Sequence, residues 1–195
     1  VNAAGDYIQM SFPPALPSVR HVVINSLAQA SLSHRRGVTS TLIPNTFDYA
    51  NPPAPADQAM AGSLRRDIGL GKDELFVLQP TRVVPRKCIE RSVDLVSGLH
   101  GAGKRLVISH PSGDEGDEYE LRLKEYAKMR EVELVFIDHL VSPGRSTSKE
   151  RPYSIEDVYQ ATDLVTYPSA YEGFGNAFLE AVYFRKPILM NRYPV

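Results

Sequence analysis

The chain has 195 residues, of which 43% are hydrophobic and 23% charged, and this composition excludes disordered and fibrous classes while leaving enough length for one good core. Lys and Arg number 22 against 23 Asp and Glu, for a net charge of -1, so the chain lacks the broad basic excess of a nucleic-acid binder and any anion site must be local. The single cysteine, Cys88, excludes an intrachain disulfide framework and a cysteine-based zinc cluster.

A lone thiol also suits a reducing compartment, and a cytoplasmic location is the expectation. No apolar run approaches the ~20 residues of a membrane span. Both ends, VNAAGDYIQM and MNRYPV, lie in sequence that reads as structured, so the chain reads as a fragment.

In chain order, HVVIN at His21 to Asn25 and TSTLIPN at Thr39 to Asn45 read as short β-rich runs on either side of a helix around Leu27 to Arg35. The stretch DYANPPAPADQAMAG, with its Pro and Ala clusters, reads as a boundary loop. The expected division is therefore residues 1–48 as a preceding segment, 49–62 as a linker, and 63–195 as the main domain.

From there the pattern becomes regular. ELFVLQPTR reads as a strand, Cys88 to Leu99 as a helix, RLVIS as a strand, Tyr119 to Glu131 as a charged helix, and ELVFI as a strand. After a polar loop, VSPGRSTSKERPY, a helix opens at Ser154 with Asp157 as its capping-box partner, followed by the strand DLVTYP, a helix from Asn176 and the strand PILM. Short apolar strands joined by helices predict an α/β fold with a Rossmann-like, doubly wound parallel sheet. In such sheets ligands bind beyond the carboxyl ends of the strands, so the strand-to-helix loops are the places to look for chemistry.

The first of these loops, Gln79 to Lys87, lacks both the Gly-x-Gly-x-x-Gly of dinucleotide sites and the Gly-Lys-Ser/Thr of P-loops. It places Arg82 at the strand end and Lys87 at the helix entrance, and two cations there suit a diphosphate. By position alone, Arg82, Arg86 and Lys87 equally describe a solvated basic turn.

The second loop runs from Tyr167 to Glu180. Gly173 and Gly175 lie between two glutamates, Glu172 and Glu180, and Asn176 is placed to cap the helix. The sequence AFLEAVYF is apolar on nearly every side and predicts a buried helix with Glu180 as its only charge before Arg185. Unpaired burial of a carboxylate is costly, so Glu180 requires a cation, helix-end amides or ligand hydroxyls; alternatively it merely complements the helix dipole, and Glu172 is an exposed loop acid. A glycosidase acid pair fits poorly, because eight helical steps of ~1.5 Å place the two carboxylates ~12 Å apart, beyond the ~5 to 9.5 Å that those mechanisms need.

These residues resemble the retaining glycosyltransferases of GT-B architecture, the group 1 or family 4-like enzymes, and in particular their C-terminal, donor-binding domain. LIPNTFD is similar to the family's interdomain Val-Pro-Asn-Gly-x-Asp segment, QPTRVVPRK to its Arg-x4-Lys loop, and EGFGNAFLE to its Glu-x7-Glu motif. The resemblance implies that Arg82 and Lys87 bind the donor diphosphate and stabilise charge on the leaving group, with Glu172 on the sugar hydroxyls and Glu180 on the ribose. It implies that amides of Gly173, Phe174 and Gly175 face the sugar and phosphates, and that the base lies near Asp138 and His139. His110 either lines the same crevice or is structural.

The donor so implied is a UDP-, GDP- or ADP-hexose, transferred to a carbohydrate or small hydroxylated acceptor with retention of configuration and without a metal or other cofactor. Residues 1–48 are expected to be a remnant of the acceptor domain with the interdomain segment. The rest of the N-terminal GT-B domain is expected to be missing, as are closing helices after Val195, so the fragment is expected to be inactive alone; any peripheral membrane contact would belong to that missing domain. A nucleotide-sugar-binding module without activity and a GT-B-like nucleotide-sugar epimerase are the alternatives. The sequence departs from the family pattern at Cys88 and Arg185, both usually Gly, and at Asn176-Ala177, usually Leu-Pro.

Overall fold

The computed structural model describes residues 14–51, 57–101, 103–112, 116–143 and 147–193. The chain divides into two compact units, one comprising Val1–Phe47, Tyr171–Asn176 and Arg192–Val195, the other Asp48–Ala170 and Ala177–Asn191.

In the first unit, strands β1 (Val22–Val23) and β2 (Thr41–Leu42) pair in parallel around helix α1 (Ser26–Arg36). The β-rich runs thus contract to two residues each. Helix α1 is closed at its start by Asn25, whose Oδ1 accepts from the Ala28 amide at 2.6 Å, and at its end by Gly37. Val23, Leu32 and Val38 form its small core.

The second unit holds helix α2 (Gln58–Asp67), β3 (Leu75–Gln79), α3 (Ile89–Gly98), β4 (Lys104–Ile108), α4 (Glu118–Met129), β5 (Glu133–Phe136), α5 (Ile155–Ala161), β6 (Leu164–Tyr167) and β7 (Ile188–Met190). Helix α6 (Asn176–Tyr183) has its first residue in the first unit and the rest here. The sheet is wholly parallel, in the order β5-β4-β3-β6-β7. Because β3 lies between β4 and β6, the direction of winding reverses beside it, and ligands in such sheets bind at that switch point.

Period-two alternation sorts the core. Phe76, Leu78, Val107 and Val165 join Leu64, Val158, Tyr159 and Ala181 on the face covered by α2 and α5. Val77, Leu106 and Ile108 join Val93, Val96, Leu123 and Ala127 on the face covered by α3 and α4. Register agrees with this sorting, since Val77 pairs with Leu106 and Leu78 with Val107. Burial on both faces is why these strands read as unbroken apolar runs.

Three sequence expectations change here. The linker expected over 49–62 is helical from Gln58 onward, because Asp57 caps the Ala59 and Met60 amides and no proline falls within Gln58–Asp67; residues 52–56 lie outside the described residues. Helix α3 begins at Ile89, because Cys88 takes a left-handed conformation at φ 49 that ends a short 3-10 turn, Pro85–Lys87. Helix α6 is not buried all round: Ala177 and Ala181 are buried, whereas Phe178 and Val182 are 39% and 46% exposed. The capping box at Ser154 and Asp157 forms in full, with Asp157 Oδ2 accepting from the Ser154 amide at 2.8 Å. Of the polar loop before it, residues 144–146 lie outside the described residues.

Candidate functional site

The loops that leave β3 and β6 depart from neighbouring strands at the switch point. In the second unit they are tied together, with the Ala170 amide donating to the Arg86 carbonyl at 2.9 Å. Asn191 fastens the same place from β7, its amide donating to the Tyr167 carbonyl at 3.2 Å and its Nδ2 to the Ser169 carbonyl at 3.2 Å.

Within this frame Arg82 and Lys87 are not equivalent. Arg82 is exposed, as a solvated basic turn would have it, but Lys87 is 7% exposed and its Nζ lies 5.4 Å from the centre of the Tyr167 ring. An ammonium removed from water needs compensation, and the electron-rich face of a tyrosine at the end of β6 supplies part of it. The sequence offered no sign that Tyr167 would serve this way.

His110, one residue past Ser109 at the end of β4, feels both cations. Burial is the largest influence lowering its pKa below 6.5; Lys87 and then Arg82 push it the same way, while Asp138 opposes them. The imidazole is therefore neutral at pH 7, with its Nδ1 hydrogen-bonded to Ser109 Oγ at 2.9 Å. Arg82, Lys87, His110 and Asp138 thus share one electrostatic neighbourhood, net cationic, at the carboxyl ends of β3, β4 and β5. His139 is exposed.

The start of α3 does not present all its amides to a ligand. Tyr119 of α4 accepts from the Ile89 amide at 2.8 Å and donates to Glu90 at 2.6 Å, and burial together with the Glu90 carboxylate raises its pKa. The Ile89 amide at the helix start is accordingly already engaged within the fold.

Glu180 finds a partner that the sequence reading did not include. The Tyr159 phenol, wholly buried on α5, donates to Glu180 Oε2 at 2.7 Å, in place of a cation or helix-end amides. Burial raises the Glu180 pKa and the phenol opposes that rise, so the carboxyl is held at a cost that further hydroxyl donors would offset.

Glu172, Gly173, Phe174 and Gly175 belong to the first unit, so the structure divides the candidate residues between the two units. There the Gly173 carbonyl accepts from Asn25 Nδ2, and Asn45 Nδ2 donates to Asn176 Oδ1 at 2.7 Å. Asn176 is the first residue of α6 rather than its cap. Gly175, buried at φ 98, stands where a side chain would be strained. Asn25 and Asn45 thus hold the glycine loop from well over a hundred positions away, through side-chain amides that no local pattern reveals. Among the described residues no group of three or more His, Cys, Asp or Glu converges to hold a metal ion, and no helix is long and apolar enough to cross a membrane.

Comparison with known proteins bears on the family and the fold. Residues 62–195 match the family model of the group 1 glycosyl transferases. Mannosylglucosylglycerate synthase of Petrotoga mobilis is 34% identical over 215 residues, covering 100% of this chain and 49% of that protein. The protein of the same name in Thermotoga maritima is 34% identical over 209 residues, covering 97% and 46%. The chain therefore spans about half the length of the curated relatives it matches. In fold it resembles the Anabaena protein HepE, solved with UDP-glucose, at a TM-score of 0.70 and 16% identity over 89% of this chain and 44% of that one. The chain belongs to the group 1 glycosyltransferases and carries the Rossmann-like C-terminal domain of their GT-B architecture.

Proposed function

We propose that this chain, spanning 63–195 as its main domain, binds a nucleoside diphosphate sugar and serves a hexosyltransferase that acts with retention of configuration. The observation that carries the proposal is that Arg82 and the buried Lys87, its Nζ 5.4 Å from the centre of the Tyr167 ring, stand together in the loop that leaves β3 at the switch point. A diphosphate is the ligand that such a pair suits, and fixed cations help most as negative charge develops on the departing nucleoside diphosphate. Glu180, held at a burial cost, gains from the ribose hydroxyls; Glu172 takes the sugar hydroxyls, and the amides of Gly173, Phe174 and Gly175 face the sugar and phosphates. Asp138 and His110 border the place of the base.

Attack on the anomeric carbon from the side of the leaving group, with a donor phosphate oxygen assisting deprotonation of the acceptor, requires no protein nucleophile. The acceptor, a carbohydrate or small hydroxylated molecule, is held in large part by the N-terminal domain of the whole enzyme. The panel to be tested comprises UDP-, GDP- and ADP-hexoses, with both glucose and mannose as the sugar because two relatives carry both sugars in their names. The test is an anomeric product assay on the full-length protein with that panel. Retained configuration supports the proposal; an inverted product, or epimerised nucleotide sugar without transfer, overturns it.

A further inference from the structure

Gln79, the last residue of β3, has a side chain with no exposed surface. Its Oε1 accepts from Ser92 Oγ on α3 and from Thr166 Oγ1 on β6, each at 2.8 Å, and these two hydroxyls lie 2.8 Å from one another. Its Nε2 donates to Thr81 Oγ1 at 2.9 Å, and that hydroxyl in turn donates to the Arg82 carbonyl at 3.3 Å. One amide thereby joins the strand before the Arg82 loop, the helix after it, the loop itself and the neighbouring strand that leads to the glycine loop. Thr81, Ser92 and Thr166 are 5%, 1% and 1% exposed.

Such a cluster is a costly way to fill a core. Three oxygen pairs among Gln79 Oε1, Ser92 and Thr166 share two hydroxyl protons, so one edge of the triangle is always without a hydrogen bond. Apolar residues of equal volume commonly serve stability as well or better, whereas a satisfied polar network fixes one geometry and penalises others. The geometry fixed here is that of the Arg82 to Lys87 loop relative to β6, where Lys87 meets Tyr167 and Ala170 meets Arg86.

We propose that Gln79, Ser92 and Thr166 are positioning residues that align this loop for a diphosphate, so that ligand affinity depends on their hydrogen bonds more than fold stability does. The inference rests on the donor-site reading. It is tested on the 195-residue chain with Gln79→Met and Thr166→Val, which keep volume but remove hydrogen bonds, and with Thr166→Ser, which keeps the hydroxyl. UDP, GDP and ADP are titrated by calorimetry, melting temperature is recorded, and amide hydrogen exchange is followed over residues 80–88.

The expected result is a loss of affinity of about tenfold or more for Gln79→Met and Thr166→Val, with a melting temperature close to wild type and recovery in Thr166→Ser. Exchange over 80–88 quickens in the first two variants while the β3 and β4 amides stay protected. Lower melting temperature with unchanged affinity and unchanged loop exchange overturns the proposal and leaves a structural core. Should the wild-type chain bind none of the three nucleotides, the donor-site reading fails. The loop exchange then decides the positioning role by itself: selective quickening supports it and its absence overturns it.

Discussion

Replacement of Arg185 by glycine should stabilise this protein. Helix α6 ends in a Schellman motif, in which the Lys186 amide donates to the Ala181 carbonyl at 2.8 Å and the Arg185 amide to the Val182 carbonyl at 3.0 Å. That pattern puts Arg185 at φ 55, in the left-handed region, where a Cβ crowds the following carbonyl at a cost of about 1 to 2 kcal/mol. Glycine removes that cost but gives the unfolded chain more freedom, worth about 0.5 to 1 kcal/mol in the other direction. Arg185 is exposed, so little packing is lost, and its favourable interaction with the helix dipole is screened at high salt.

The net gain is about 0.5 to 1 kcal/mol, which for a chain of this size is a rise of about 1 to 4 °C in melting temperature. Thermal denaturation in high salt, with Arg185→Ala as the charge-matched control that keeps Cβ, is the assay. Arg185→Gly should melt above both wild type and Arg185→Ala. Equal lowering by the two substitutions would show that the side chain, not the backbone strain, governs this position and would refute the reasoning.

The same motif closes α2 with the opposite residue choice: Gly69 sits at φ +68, and an added Cβ would come 2.9 Å from Arg105 Nη1. Gly69→Ala should therefore cost about 1 to 2 kcal/mol or more, read as a lower melting temperature. Tyr159→Phe deletes the Glu180 partner and should destabilise the fold by about 1 to 3 kcal/mol at pH 7. Its penalty should shrink as pH falls toward the raised Glu180 pKa, since a neutral carboxyl is cheaper to leave unpaired, and a pH-independent penalty would argue against this. For His110 the folded pKa lies below the unfolded 6.5, so the unfolded chain binds more protons in the window between them. Stability should be fully present above about pH 6.5 and fall with pH beneath it, and His110→Gln should flatten that fall in a pH series of denaturant melts.

Much of the fold could be read from the chain because its signals are local. The strands from Leu75 onward are short apolar runs, Ser154 and Asp157 cap a helix three positions apart, and Arg82 and Lys87 bracket a strand-to-helix loop. The parallel doubly wound sheet follows from their alternation. What escaped depends on contacts far apart in sequence. Asn25 and Gly173, Tyr159 and Glu180, and Gln79 and Thr166 carry no periodic mark, since each is a polar residue whose partner is chosen by the folded backbone. Helix α6 misled in another way, for Phe178 and Val182 show that an apolar sequence does not specify which of its sides is covered. The two positions where the resemblance expects glycine, 88 and 185, are both left-handed in this chain although neither residue is glycine.

The central claim is that the cations of the β3 loop and the carboxylate of Glu180 serve one nucleotide. Arg82 is exposed, so Arg82→Ala removes a charge without disturbing the core. Titration calorimetry of UDP, GDP and ADP into the wild-type chain, Arg82→Ala and Glu180→Ala tests the claim most directly. At least one nucleotide should bind the wild type, and both substitutions should weaken it. Absence of binding by all three, or binding left unchanged by both substitutions, would contradict the assignment.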